Sequence, residues 1–265
     1  MDQNELIDRI AKEVIQRLNE KTNLQGGKTQ DNVPAPSSTH RMSAAELAGY
    51  IDHTLLKPEA VMPQFEQLCS EAVKYKFKSV CVNSSWIPFV AKKLRGTNVK
   101  ICSVIGFPLG EMDTRSKAFE ARNAIGNGAE ELDMVINVGA LKSGNLKLVE
   151  EDIRAIKRAC RSNTVLKVIL ETGLLTDDEK IIACEISRKA GADFVKTSTG
   201  FSGSGATIHD VALMRRIVGP DMGVKASGGI RNFDQAMALI NAGANRLGCG
   251  ASVDVITGAE SQGHY

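Results

Sequence analysis

Residues 194–200 read FVKTSTG, and residues 223–229 read GVKASGG. Each is a short apolar run that takes in one lysine, Lys196 or Lys225, and then breaks into small residues and glycine. Runs of this length, bounded by turn residues, predict buried strands. Six more stretches fit the description: Tyr50–Leu55, Lys78–Asn83, Lys100–Phe107, Glu131–Asn137, Val165–Glu171 and Arg246–Gly250. Helical patterns lie between them, such as PQFEQLCSEAVKY (63–75), TRSKAFEARNAIGNG (114–128), LVEEDIRAIKRACR (148–161), DEKIIACEISRKAG (178–191) and FDQAMALINAG (233–243). Gly128, Gly191, Gly219 and Gly243 stand where a left-handed helix end is expected. Alternating strands and helices predict a parallel sheet, and eight strands close a (β/α)8 TIM barrel. No G-x-G-x-x-G follows the first strand, which excludes the dinucleotide-binding open sheet.

Barrel strands are covered on both faces, so charges within them carry the information. In the fourth strand Asp133, Val135 and Asn137 share one face; in the fifth, Lys167, Ile169 and Glu171 do. Their apolar alternates suit the helix-facing side, which turns the polar sets into the barrel. With Lys196 and Lys225, interior charges recur in four successive strands. Burying them costs several kcal/mol per ion and returns little stability, which favours a chemical role over a self-neutralising network. An active-site lysine is nucleophilic only when neutral. A neighbouring cation and partial desolvation favour that form. One lysine then attacks a carbonyl to form a Schiff base, a second supplies the charge, and a carboxylate moves protons. The glycines after the seventh and eighth strands, Gly228-Gly229 and Gly250-Ala251-Ser252, occupy the usual phosphate-binding position of barrels.

Composition agrees with an enzyme. The chain has 265 residues, 33 Lys and Arg against 31 Asp and Glu, and a net charge of +2. That balance gives no case for nucleic acid or membrane surfaces as partners. No apolar run approaches the ~20 residues of a membrane span. Six cysteines without a C-x-x-C pair read as reduced, buried thiols of a cytoplasmic protein, with Cys81 in core packing. The four histidines are scattered and predict no metal site.

IDHTLLKPEA (51–60), ELDMVINVGAL (131–141), LKVILETGLL (166–175), GADFVKTSTGF (191–201), VKASGGIR (224–231) and GAS (250–252) resemble the deoxyribose-phosphate aldolase family. The resemblance covers nearly all of residues 44–254, in order. It implies a TIM barrel and class I aldolase chemistry without a cofactor: reversible cleavage of 2-deoxy-D-ribose 5-phosphate to acetaldehyde and D-glyceraldehyde 3-phosphate. It implies Lys196 as the Schiff-base lysine, Lys225 as the second lysine and Asp133 as the catalytic aspartate. It also implies a phosphate site at Gly200, Gly228, Gly229 and Ser252, sugar contacts from Asp52, Thr54 and Thr199, and Lys167 among the substrate-binding residues. A homo-oligomer is expected. Two departures bear on the phosphate: Val253 follows GAS where some members have Ser, and Phe201 follows TSTG where some have Lys. Another Schiff-base aldolase or transaldolase with a different donor stays open, as does a non-catalytic barrel scaffold.

The barrel is expected over 44–256, with a tail over 257–265 ending in Tyr265. Residues 21–43 have linker composition, rich in Gly, Pro, Ser and Thr. Residues 1–20 carry Leu6, Ile7, Ile10, Val14 and Leu18 at helical spacing, with charges between. This amphipathic segment resembles the encapsulation peptides of bacterial microcompartments. That implies a shell or core protein as partner and a place in the compartment lumen, which suits an enzyme releasing a volatile aldehyde.

Overall fold

The computed structural model describes residues 42–258. The expected front helix (1–20), nearly all of the linker (21–43) and the tail with Tyr265 lie outside the described residues. From the N-terminal side the elements are α1 (Ala44–Ala48), β1 (Ile51–Leu55), α2 (Met62–Tyr75), β2 (Ser79–Val82), α3 (Ile87–Lys93), β3 (Lys100–Ile105), α4 (Thr114–Gly126) and β4 (Glu131–Val135). There follow α5 (Val138–Lys142), α6 (Leu146–Ala159), β5 (Val165–Ile169), α7 (Asp177–Lys189), β6 (Phe194–Lys196), α8 (Ile208–Val218), β7 (Gly223–Ser227), α9 (Phe233–Asn241), β8 (Arg246–Cys249) and α10 (Ser252–Thr257). Single 3₁₀ turns occupy Ser84–Trp86 and Thr172–Leu174.

All eight expected strands form, and each pairs in parallel with its sequence neighbour until β8 closes on β1. The architecture is a TIM barrel. Strand ends are shorter than the apolar runs suggest. The sixth run stops at Lys196: Thr197 N–H makes the last rung to the Lys225 carbonyl (3.0 Å), and Ser227 N–H then donates to the Thr197 hydroxyl (3.0 Å). The fifth stops at Ile169, and the last helix runs through Thr257, one residue past the expected barrel limit. The four helix-ending glycines all have positive φ, from 75° to 117°, where a side chain would be strained.

The alternation within strands is as read. Leu132, Met134, Leu166 and Val168 are fully buried against the helical layer, while Asp133 and Lys167 sit opposite each other in register inside the barrel. Gly248 makes room there: a Cβ on it falls 3.1 Å from Lys225 Cε and 2.8 Å from Ser227 Cβ. Among the described residues no helix is long and apolar enough to cross a membrane, and all six cysteines are free.

Among the described ion pairs outside the barrel, one is almost wholly buried. Lys117 on α4 is fully buried and donates to Asp152 on α6 (2.6 Å) and to the Val135 carbonyl at the end of β4 (3.2 Å). It ties two helices to the strand that carries Asp133. Removing one member of a buried pair strands the other charge, at a cost of ~3–5 kcal/mol, whereas apolar replacement of both is often neutral. Asp152→Ala should therefore lower the denaturant midpoint strongly, and the double change Lys117→Met with Asp152→Leu should recover most of it. An Asp152→Ala protein as stable as the parent in a urea titration contradicts this account.

Candidate active site

The inward positions of β1, β4, β5, β6, β7 and β8 build one connected set of charges. Asp133 is fully buried at its centre. Its Oδ1 takes Lys167 Nζ at 2.8 Å, and its Oδ2 takes both Lys196 Nζ (2.8 Å) and Lys225 Nζ (2.7 Å). Lys225 also donates to Asp52 Oδ2 (2.5 Å), and Lys167 to Glu131 Oε2 (2.6 Å). Arg246 closes the circuit, reaching Asp52 Oδ1 (2.7 Å) and Glu131 Oε2 (2.9 Å). Parallel register explains the convergence: Lys196 lies beside Lys225, Lys225 beside Arg246, and Asp133 beside Lys167.

Electrostatics follow from this geometry. Burial alone would push the Asp133 carboxyl up, but Lys167, Lys196 and Lys225 outweigh it and hold it well below the usual carboxylate range. Asp52 is lowered likewise: Lys225, Arg246 and Lys167 overcome its desolvation. Burial works against the Lys225 charge, yet Asp133 and Asp52 keep its affinity for a proton above that of an ordinary lysine. Four cationic side chains meet three carboxylates, so full ionisation leaves one uncompensated positive charge. Lys196 holds a single carboxylate contact and is 3% exposed, whereas Lys167 and Lys225 are fully buried and hold more than one.

A cavity of about 450 Å³ opens at the C-terminal ends of the strands. Thr54, Gly200, Gly228 and Gly229 line it as expected, joined by Gly203, Gly205 and Gly250 and by two cationic residues, Lys57 and Arg231. Gly200, Gly228 and Gly229 have φ of 88°, 89° and 77°, a conformation that keeps other residues out. Phe201 meets Phe107 edge to face at 5.2 Å.

Four of the expected substrate-binding residues are not among those lining this cavity. Asp52 and Lys167 have no exposed surface, because both are consumed in the charge network. The Ser252 hydroxyl is fully buried, 2.8 Å from His53 Nδ1 and donating to the Cys249 carbonyl (2.9 Å). Thr199 is also buried and bonds to Glu171. Conversely, Glu131 and Arg246 were not singled out from sequence. The signal was present: both share the inward parity of their strands. Cys81 packs with Leu56, Cys102, Val104 and Phe107, while Cys102 Sγ lies 3.2 Å from Asp133 Oδ1.

Known proteins share this chain's sequence and fold. The profile described as DeoC/LacD family aldolase matches residues 40–258. A deoxyribose-phosphate aldolase of Streptococcus gordonii is 60% identical over 220 residues, covering 83% of this chain and 100% of that protein. Its counterpart in Lactococcus lactis is 57% identical over 216 residues, 82% of this chain and 98% of the relative. The tetrameric deoxyribose phosphate aldolase of Aeropyrum pernix superposes with a TM-score of 0.76 at 37% identity, covering 81% of this chain and 91% of its own. A closed eight-stranded barrel, an interior lysine–carboxylate network and this similarity through residues 40–258 agree: the chain belongs to the DeoC/LacD family of aldolases.

Proposed function

We propose that the chain cleaves 2-deoxy-D-ribose 5-phosphate reversibly into acetaldehyde and D-glyceraldehyde 3-phosphate, through a Schiff base on Lys196. The observation that carries this is the uncompensated charge. Release of one proton makes the buried network neutral, and Lys196, at its rim, is the member least tied to carboxylates. Neutral Lys196 adds to the C1 aldehyde, and loss of water gives the imine. Asp133, held ionised by its three lysines, takes the C3 hydroxyl proton, directly or through water. The C2–C3 bond breaks, its electron pair moves into an enamine, and C3 leaves as the aldehyde of glyceraldehyde 3-phosphate. Protonation at C2 and hydrolysis release acetaldehyde and restore the amine. An iminium nitrogen carries one proton where an ammonium carries three, so the contact to Asp133 Oδ2 loosens once the imine forms. That raises the basicity of the carboxylate when it is needed.

Lys225 keeps its charge and is assigned the electrostatic role. Asp52 and Lys167 hold the network rather than the sugar. The glycine-lined cavity with Lys57 and Arg231 suits the phosphate, with Gly200, Gly228 and Gly229 offering backbone. A homo-oligomer is consistent with the tetrameric relative. The front segment is additional to this machinery: the family profile starts at residue 40, and 220 residues of this chain match all of the S. gordonii protein. We assign residues 1–20 as a cargo helix for a bacterial microcompartment, residues 21–43 as its tether and residues 44–256 as the catalytic barrel.

Borohydride reduction in the presence of acetaldehyde, followed by mass mapping, should label Lys196 alone; label on Lys225 overturns the assignment. Asp133→Asn should slow turnover by about 10²–10⁴-fold, the usual scale for a lost acid–base group. Lys225→Leu should keep the fold and lose most activity at neutral pH, and near-normal turnover would make that lysine structural.

Deleting residues 1–40 should leave the lyase rate nearly unchanged. The same residues fused to a fluorescent protein should collect in compartments of a host that makes them. Five buried aliphatic side chains supply roughly 7–15 kcal/mol gross. Association costs about 4–15 kcal/mol, so loading should depend on several copies acting together. Diffuse fluorescence beside intact compartments, or a truncated enzyme without activity, counts against the cargo assignment.

A further inference from the structure

Glu171 is a buried carboxylate that the proposed chemistry leaves unused. Among the described residues no cation pairs with it; its partners are all on one residue, Thr199. The Thr199 amide donates to Oε1 (3.2 Å) and Oε2 (3.3 Å), and the Thr199 hydroxyl donates a short hydrogen bond to Oε2. The backbone of Glu171 is left-handed, with φ 58° and ψ 60°. The other described non-glycine residue with positive φ, Lys76, caps the end of α2, where that conformation is commonplace. Glu171 instead stands just past β5 at the barrel mouth. A glycine there would be free of backbone strain, so the glutamate is held against two costs, the strain and the desolvation of its charge.

The hydrogen bonds fix what Thr199 can do. A hydroxyl has one proton and two lone pairs. The proton goes to Glu171 Oε2, and one lone pair takes the Phe201 N–H (3.1 Å). One lone pair and no proton remain. Thr199 stands three residues after Lys196 and directly before Gly200 of the cavity wall.

Resting on the aldolase reading, we infer that Glu171 is a positioning and specificity-determining residue: it locks the Thr199 hydroxyl as a hydrogen-bond acceptor for one substrate hydroxyl. Chemistry identifies that hydroxyl. In the open-chain sugar phosphate, C1 joins Lys196, the C3 hydroxyl gives up its proton in bond cleavage, and C5 carries phosphate. The C4 hydroxyl is left, which is the C2 hydroxyl of glyceraldehyde 3-phosphate. An acceptor that presents this O–H meets a preset partner. One that lacks it leaves a buried oxygen unpaired.

The test runs in the synthetic direction, with acetaldehyde and two acceptors: glyceraldehyde 3-phosphate and 3-oxopropyl phosphate, which lacks the hydroxyl. Glu171→Ala should cost about 10–100-fold in kcat/KM with the hydroxylated acceptor and change the deoxy acceptor by less than about threefold, collapsing the discrimination. Glu171→Gln retains an oxygen able to accept from Thr199 and should restore discrimination to within about fivefold. Thr199→Val combined with Glu171→Ala should be no worse than Thr199→Val alone. Should the alanine protein fail to fold, Glu171→Asp keeps the charge, draws it back by a methylene and is read in its place. Equal losses on both acceptors, or losses that multiply in the double variant, overturn the inference. Borohydride labelling by acetaldehyde needs Lys196 but not Thr199. A wild-type protein that neither labels nor turns over refutes the aldolase reading itself. Labelling that persists in the Glu171 variants isolates the fault to acceptor recognition.

Discussion

Three ammonium groups converge on the two oxygens of one buried carboxylate, and this contact constrains everything around it. Taking Asp133 and its lysines out of water is costly, and their mutual attraction repays it only when every member finds a partner. The barrel supplies partners by register rather than by chance. Lys196 pairs in register with Lys225, and Lys167, two residues lower in register on the neighbouring strand, reaches the same carboxylate. Asp52, Glu131 and Arg246 complete the circuit from the far side. The circuit nevertheless closes with a positive charge to spare. A purely structural network has no reason to retain that imbalance. A network that presents one neutral amine, the role proposed for Lys196, does.

The surrounding architecture serves the same constraint. A Cβ on Gly248 would fall 2.8 Å from Ser227 Cβ and 3.1 Å from Lys225 Cε, so glycine there leaves both in place. Arg246 lies over the Phe194 ring, 5.4 Å from its centroid, so a cation at the foot of the network is held by an aromatic face as well as by carboxylates. Lys117 carries the restraint outward, binding the last carbonyl of β4 to two helices. Asp133 thus sits on a strand fastened from both sides. A shared carboxylate leaves little tolerance: a shift that favours one lysine loosens another.

Much of this was legible in the sequence because period-two alternation survives in strands covered by helices. Charges at 133, 167, 196 and 225 stood out against apolar neighbours, and the number of such strands fixed the architecture. What stayed hidden was pairing. Asp52 and Lys167 were expected among the substrate-binding residues, and a linear chain does not show that Arg246 and Glu131 pair with them. Glu131 and Arg246 escaped notice as strand-opening charges, which ordinarily face solvent. Ser252 read as a phosphate ligand from its place after the glycine. His53, some two hundred residues away in sequence, claims its hydroxyl instead. Glu171 lay on the correct inward parity, but a left-handed backbone at a non-glycine residue has no sequence signal, so its bond to Thr199 emerged only in three dimensions.

The placement of these groups separates chemistry from recognition. The residues proposed to make and break bonds lie on strands, where ladder hydrogen bonds and packing from both faces fix them. Residues that face the cavity lie on the loops beyond, and many of them are glycines that offer only backbone. On that division the two departures, Phe201 and Val253, lie beyond the strands that carry the charges. Phe201 packs edge-on against Phe107. Such substitutions can alter which aldehyde phosphate is held and how tightly. Glu171 stands at the boundary between the two layers, where the last residues of a strand orient the first polar group of a loop. There, among the described residues, a buried carboxylate has no cation beside it, and three hydrogen bonds from one threonine take the place of the ion pairs used below.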